Sequence, residues 1–113
     1  MIKIEGRKDD AQKNRFDLIP PEALEQLAAV YTYGCHYGER NWEQGIKWGR
    51  IFAAIMRHLW AFWRGEDVDK ESGLSHLAHA SWGCFTLMTY EGTHPELVDR
   101  SFCNDCQYPA MRV

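Results

Sequence analysis

At 113 residues the chain is sized for one domain, long enough to bury a core but not a generous one. Five Trp, five Tyr and five Phe are many for that length, and such rings need cover from a core or from a second subunit. A formal charge of −3 argues against a nucleic-acid coat or a membrane-surface role, which need excess Lys and Arg, and no apolar run approaches transmembrane length.

The first residues, Met1-Ile2-Lys3-Ile4-Glu5, lack the apolar stretch of a signal peptide, so a reducing, cytoplasmic setting is expected. Residues 1–19 are polar, without sustained periodicity, and carry Lys13-Asn14-Arg15-Phe16-Asp17-Leu18. Pro20-Pro21 then opens a first helix, on which Leu24, Leu27, Ala28 and Tyr31 share a face and Gly34 is the natural stop. The stretch from Gly34 to Gly45 is glycine-punctuated and aromatic, and reads as an ordered loop.

A second helix is expected over residues 46–64. Trp48, Phe52, Ile55, Leu59 and Phe62 form its apolar stripe, widened by Met56 and Trp63, and Lys47, Arg50, Arg57 and Arg64 align on the opposite face. Gly65 ends it, and Asp69 or Ser72 is placed to cap a third helix over residues 73–91. The apolar face of this third helix is Leu77, Ala80, Cys84, Leu87 and Met88; His76, His79 and Gly83 share another, near Ser75, Thr86 and Tyr90. Residues 95–113 read as a short closing segment and irregular tail. Cys35 and Cys84, in apolar helical context, are expected as buried thiols, whereas the single CxxC of Cys103 and Cys106 is a weak zinc signal and reads as a plain tail. Three helices do not easily enclose this many rings, so the fold class is an all-α helical bundle completed by oligomerisation.

Four groups of residues could carry chemistry. Glu66, Asp67, Asp69 and Glu71 lie within six residues. Packed carboxylates suit a hard cation such as Mg²⁺, but they equally suit a helix N-terminus, where they stabilise the dipole. His76 and His79, spaced i, i+3, can point at one spot, with His58 at the edge of the second helix's stripe. They suit a transition metal or a phosphate, or simply hydrogen-bond across the helix interface. Arg57 and its stripe, with Lys13 and Arg15, suit phosphate, and the face lacks the Glu partners of a salt-bridged surface. Tyr37 and Trp42 could stack on a base whose edge Asn41 reads, or pack the loop onto the bundle.

Three boxes resemble a known family. The first is Lys13-Asn14-Arg15-Phe16-Asp17-Leu18-Ile19-Pro20. The second is Tyr33-Gly34 through Tyr37 with Asn41-Trp42-Glu43-Gln44-Gly45. The third and most specific is Arg57-His58-Leu59 with Gly65-Glu66-Asp67-Val68-Asp69-Lys70-Glu71-Ser72-Gly73-Leu74-Ser75-His76-Leu77-Ala78-His79-Ala80. Together, over roughly residues 8 to 91, they resemble the phage-associated dATP/dGTP diphosphohydrolase family, which is similar to the MazG and MazZ all-α nucleotide pyrophosphatases.

The resemblance implies one MazG-like domain over residues 1–113 that assembles as a homodimer or homotetramer. It implies Mg²⁺-dependent hydrolysis, with Mn²⁺ as a substitute, of a purine deoxynucleoside triphosphate to the monophosphate and pyrophosphate. The setting is phage nucleotide-pool remodelling in the host cytoplasm, with no membrane or direct nucleic-acid partner. Asp69, Glu71, His58 and His76 are the expected catalytic residues, and Asp69, Glu71, Glu66 and Asp67 the metal ligands. Lys13, Arg15, Arg57 and His79, with Tyr37, Asn41 and Trp42, are the expected substrate contacts. The chain departs from the wider superfamily in one respect. His76-Leu77-Ala78-His79 stands where an ExxD motif would lie, and the second helix has no ExxE, leaving Glu39 with Glu43, or Glu66 with Asp69 and Glu71, to replace them. Two alternatives are a zinc-dependent phosphohydrolase built on His58, His76, His79 and Asp69, and a non-enzymatic phage interaction protein docking through the second helix.

Overall fold

Pro21 takes the first helical position, where its missing N–H costs no bond, and α1 runs from Pro21 to Tyr33. The structure is a computed structural model and describes residues 5–101. The elements in order are a 3-10 turn at Phe16–Leu18, α1, 3-10 turns at Gly34–Tyr37 and Asn41–Gln44, α2 at Trp48–Trp63, α3 at His76–Thr93, and a 3-10 turn at Pro95–Leu97. The described residues hold no strand, only one antiparallel bridge between Val68 and Ser75, so the fold is all-α. No described helix is long and apolar enough to cross a membrane. Cys103 and Cys106 lie outside the described residues.

The central helix is α3, which packs against α2 on one side and α1 on the other. Because α1 packs chiefly against α3, it buries a narrow face. Leu27 and Val30 are covered, whereas Leu24 and Ala28 of the expected face are exposed.

The stripe expected on α2 is rotated. Trp48, Ile51 and Ile55 are buried and His58 and Phe62 partly so, a 3-4-3-4 series that turns toward α3. Phe52 and Leu59, counted in the stripe, are exposed, as are Met56, Trp60 and Trp63. The periodicity was ambiguous because α2 is apolar round more than half its circumference; packing on α3 chooses the side bearing Ile51 and His58.

On α3 the buried set is His76, Ala78, Ala80, Gly83, Thr86 and Tyr90. Leu77 and Met88 of the expected apolar face are exposed, and so is Cys84. Cys35 is exposed too, in the 3-10 turn after α1, so neither thiol is buried as expected: both sit on surfaces no other element covers. Small residues are what allow α2 and α3 to approach. A β-carbon placed on Gly83 would collide with Ile55 Cγ1 and lie 2.8 Å from its Cδ1.

The closing segment is tied down at the start of α2. Val98 joins the core cluster of Trp48, Ile51, Ile55, Ala80 and Tyr90. Trp48 Nε1 donates to the His94 carbonyl at 3.1 Å, and Asp99 Oδ1 accepts from the Gly49 amide at 2.8 Å, acting as a cap supplied from 50 residues away.

His94 adds a pH-sensitive clamp. Its Nε2 lies 2.7 Å from the Glu43 carbonyl and its Nδ1 lies 2.9 Å from Glu96 Oε2. Both partners are acceptors, so the ring donates twice, as the imidazolium. The Glu43 carbonyl, then the Glu96 carboxylate, raise the His94 pKa, and His94 lowers that of Glu96. The stabilisation from His94 is therefore complete below its unfolded pKa of about 6.5 and fades as pH rises through the higher folded value. That from Glu96 is complete above its unfolded pKa of about 4.3 and fades as pH falls through the lower folded one. In thermal melts, His94→Gln is expected to lose most against wild type at about pH 5.5 and least above pH 8. A difference independent of pH would remove this assignment.

Candidate functional site

The segment between α2 and α3 folds back on itself and delivers carboxylates to the start of α3. Asp69 N donates to the Leu74 carbonyl at 2.8 Å, Gly73 N to the Asp69 carbonyl at 2.7 Å, and Ser72 N to Asp69 Oδ2 at 2.9 Å. Gly73, at φ +75°, makes this reversal without strain. Its conformation also keeps residues 73–75 out of the helix, so α3 starts at His76 and its cap is Ser75, whose Oγ accepts from Ala78 N at 3.2 Å. This corrects the expected cap at Asp69 or Ser72. Asp69 is instead spent on the loop itself, which fixes its carboxylate in place.

Three histidines converge beside it. His58 Nδ1 lies 2.8 Å from His76 Nδ1, and His76 Nε2 lies 3.2 Å from Glu66 Oε1. The carboxylate only accepts, so His76 carries its proton on Nε2; in the neutral ring Nδ1 then accepts from His58 Nδ1–H. His79 stacks on His58 with ring centroids 4.5 Å apart and planes 6° from parallel, while its Nε2 lies 2.7 Å from Ser72 Oγ. His76 is 4% exposed; His58, His79 and Asp69 are partly buried.

Burial, then the neighbouring His79 and His76, pushes the His58 pKa down. Burial also lowers His79, against the opposing pull of Asp69. For Asp69 burial works upward, but the Ser72 amide and hydroxyl and the nearby His79 and His58 outweigh it, and the carboxyl ends below its ordinary value. At neutral pH the site thus sets an ionised carboxylate against neutral imidazoles.

An aromatic wall stands next to this cluster. The Tyr33 ring meets His79 edge-on at 6.2 Å and stacks on His36 at 5.9 Å, and His36 meets Tyr37 at 4.9 Å. Burial, then the charges of Glu71, Tyr37 and Asp69, raise the Tyr33 phenol. Tyr33 and His36 were not singled out from sequence, although their i, i+3 spacing at a helix end carried the signal.

The other expected residues are more scattered. Arg57 is exposed on α2 beside His58, and Asp67 is exposed, its carbonyl accepting from His76 N at 3.0 Å. The ring of Trp42 turns inward, edge-on to Tyr31 at 6.0 Å, and its carbonyl accepts from the Tyr90 hydroxyl. Asn41 opens the 3-10 turn Asn41–Gln44. Arg15 is exposed and bound to Asp17 at 2.7–2.8 Å, and Lys13 is exposed in a turn closed on Asp10. Among the described residues, no hydrogen bond or ion pair joins either to the histidines.

Fold and site together define a small all-α domain with a histidine–carboxylate centre bordered by aromatic rings. The chain matches the family described as "dATP/dGTP diphosphohydrolase, N-terminal" over residues 3–100, and it belongs to that family. It is 36% identical over 96 residues to the "dATP/dGTP diphosphohydrolase" of Salmonella phage PMBT28, an alignment covering 84% of this chain and 33% of that protein. The chain therefore spans about a third of the length of that relative. No solved structure matches it.

Proposed function

We propose that this domain hydrolyses a purine deoxynucleoside triphosphate, dATP or dGTP, to the monophosphate and pyrophosphate with Mg²⁺, for which Mn²⁺ substitutes. The observation that carries this reading is Asp69 gathered with His58 and His76, with Glu66 bonded to His76 and Tyr33 edge-on to the adjoining His79. The oxygen donors fit a hard cation, which takes one or two carboxylates together with substrate phosphates. Asp69 and Glu71 would hold it, with Glu66 and Asp67 adjoining. Bound there, Mg²⁺ supplies neutralisation of the triphosphate and of the departing pyrophosphate.

The chain's own residues do the rest. The aromatic wall offers ring faces to the purine. Arg57, with Lys13 and Arg15 from the segment before α1, balances phosphate charge. His58, His76 and His79 orient ligands and water, His76 being fixed by Glu66 and His79 by Ser72. The proposed setting is the host cytoplasm, where such a reaction remodels a phage's nucleotide pool.

Incubation with each deoxynucleoside triphosphate and Mg²⁺, with products resolved by chromatography, tests the reaction. Monophosphate and pyrophosphate from a purine substrate are expected; diphosphate plus phosphate, or nucleoside plus triphosphate, would assign another bond. Glu71→Gln refines the ligand set. It is expected to cost about a hundredfold in turnover while leaving the metal-free melting temperature unchanged or higher, since one of several repelling carboxylates is neutralised. Full activity with stability lower by about 0.3–1 kcal/mol would make Glu71 a helix-dipole carboxylate instead.

The active species is proposed to be a homodimer or homotetramer. Phe52, Trp60 and Trp63 of α2 are 57%, 60% and 78% exposed, and the exposed Leu77, Phe85 and Met88 of α3 line shallow grooves with Leu24 of α1 and Leu59 of α2. Light scattering at micromolar concentration is expected to give a multiple of the chain mass; a monomer mass would remove the claim.

A further inference from the structure

We propose that His58, His76 and Asp69 form a binding site for a first-row transition-metal ion, distinct in chemistry from the hard cation that accompanies the triphosphate, with which it would share Asp69. Three separate elements deliver these groups: α2, the first turn of α3, and the loop between them. One ligand atom from each lies within 4.8 Å of the others, the span a single ion can bridge. The two imidazole Nδ1 atoms are 2.8 Å apart. Two nitrogens each about 2.1 Å from one ion, at right angles, would be about 3 Å apart. Two imidazoles with one carboxylate are a donor set that Mg²⁺ does not favour and that Zn²⁺, Fe²⁺, Co²⁺ or Mn²⁺ accepts, with positions left open for water.

The surroundings are built for the same purpose. Glu66 holds the proton of His76 on Nε2, so that Nδ1 presents its electron pair to the centre. A carboxylate behind a ligating histidine is the usual outer partner of such sites. The Ser72 amide anchors Asp69 through Oδ2. His76, almost wholly buried, cannot swing away. Without metal the proton between His58 and His76 occupies the place of the ion. Binding therefore moves the His58 proton from Nδ1 to Nε2, a change of tautomer that frees the Nδ1 lone pair for the cation with no net proton released.

The probe is Co²⁺ added to the chelator-stripped protein in a background with Cys35, Cys84, Cys103 and Cys106 all changed to Ser, which removes thiolate competition. A saturable visible absorption band at one equivalent is expected, unchanged by millimolar Mg²⁺. Zn²⁺ should abolish it by displacement. Asp69→Asn and His76→Gln should lose the band, and Glu66→Gln should weaken binding about 10–100-fold. His94→Gln, outside the cluster, should keep it, and circular dichroism reports folding of each variant. If His76→Gln unfolds, Asp69→Asn decides, because Asn preserves the bond from the Ser72 amide. Absence of the band at micromolar Co²⁺, its removal by Mg²⁺, or its survival in Asp69→Asn would overturn the site. Because no nucleotide is present, failure of the hydrolytic reading leaves this result intact, and loss of the band leaves Mg²⁺-dependent turnover to be measured separately.

Discussion

Asp69→Asn is expected to lower turnover by about a hundredfold or more while the fold persists. The side chain has two tasks in the structure, and the substitution separates them. One oxygen accepts from the Ser72 amide at 2.9 Å and shapes the loop; Asn retains an oxygen for that bond. The other task is charge. The Ser72 hydrogen bonds and the nearby imidazoles hold the carboxyl below its ordinary pKa despite burial, so it is ionised throughout the neutral range. On the proposed function, losing that charge removes an anchor for the cation. A turnover number within twofold of wild type, at an unchanged melting temperature, would show that the reaction does not pass through this cluster.

Gly83→Ala is expected to destabilise the domain by about 1–2 kcal/mol, a drop on the order of 5–15 °C in melting temperature for a chain of this size. Two effects oppose each other. Alanine gains up to about 1 kcal/mol over glycine in a helix interior. Overpacking a buried contact costs roughly 1–3 kcal/mol, and here the new methyl would meet Ile55 Cγ1, close to the α2 backbone rather than at the free end of a long side chain. Ile55 is 7% exposed and has little room to rotate, so the clash outweighs the propensity gain. The double variant Gly83→Ala, Ile55→Ala should lose less than the sum of the single losses, since the second change vacates the contested volume. Strict additivity would show that the two helices do not meet at this point. His58 lies one turn beyond Ile55 and His76 two turns before Gly83, so the contact also sets the spacing of the imidazoles.

Much of this was legible in the sequence, for identifiable reasons. The existence of α1, α2 and α3 followed from the prolines, the long apolar period and the terminal glycines. The orientation of α2 did not, because Phe52 and Leu59 match the same period as Ile51 and Phe62 when both sides of a helix are apolar. His58 reads as polar and so was placed at the edge of the stripe; in the fold it faces α3. Likewise Ser72 and Ser75 are equally good caps by residue type, and only the positive φ of Gly73 decides between them. At the site, His58, His76, His79, Asp69, Glu66 and Glu71 could all be named from the acidic run and histidine spacing. Two features rested on contacts with no local signature: the bond between Glu66 and His76, and the approach of Tyr33 to His79. Asp99 is the extreme case, since nothing near it in sequence marks it as the partner of Gly49.

That distant cap divides α2 into two regions of unequal security. Its first turn has few local reasons to stay closed: no side chain next to it in sequence bonds its free amides, and the ones it borrows belong to residues 94–99. When that strap peels away in a thermal fluctuation, the first turn of α2 opens with it as one cooperative unit, and the Gly49 amide becomes exchangeable with solvent. The opposite end answers to different contacts. His58 is ten residues, about 15 Å, further along the helix and is held by α3 and the 66–75 loop. Breathing at the strap therefore leaves the imidazole cluster assembled, and the chain can loosen at one end without disturbing the geometry of the other.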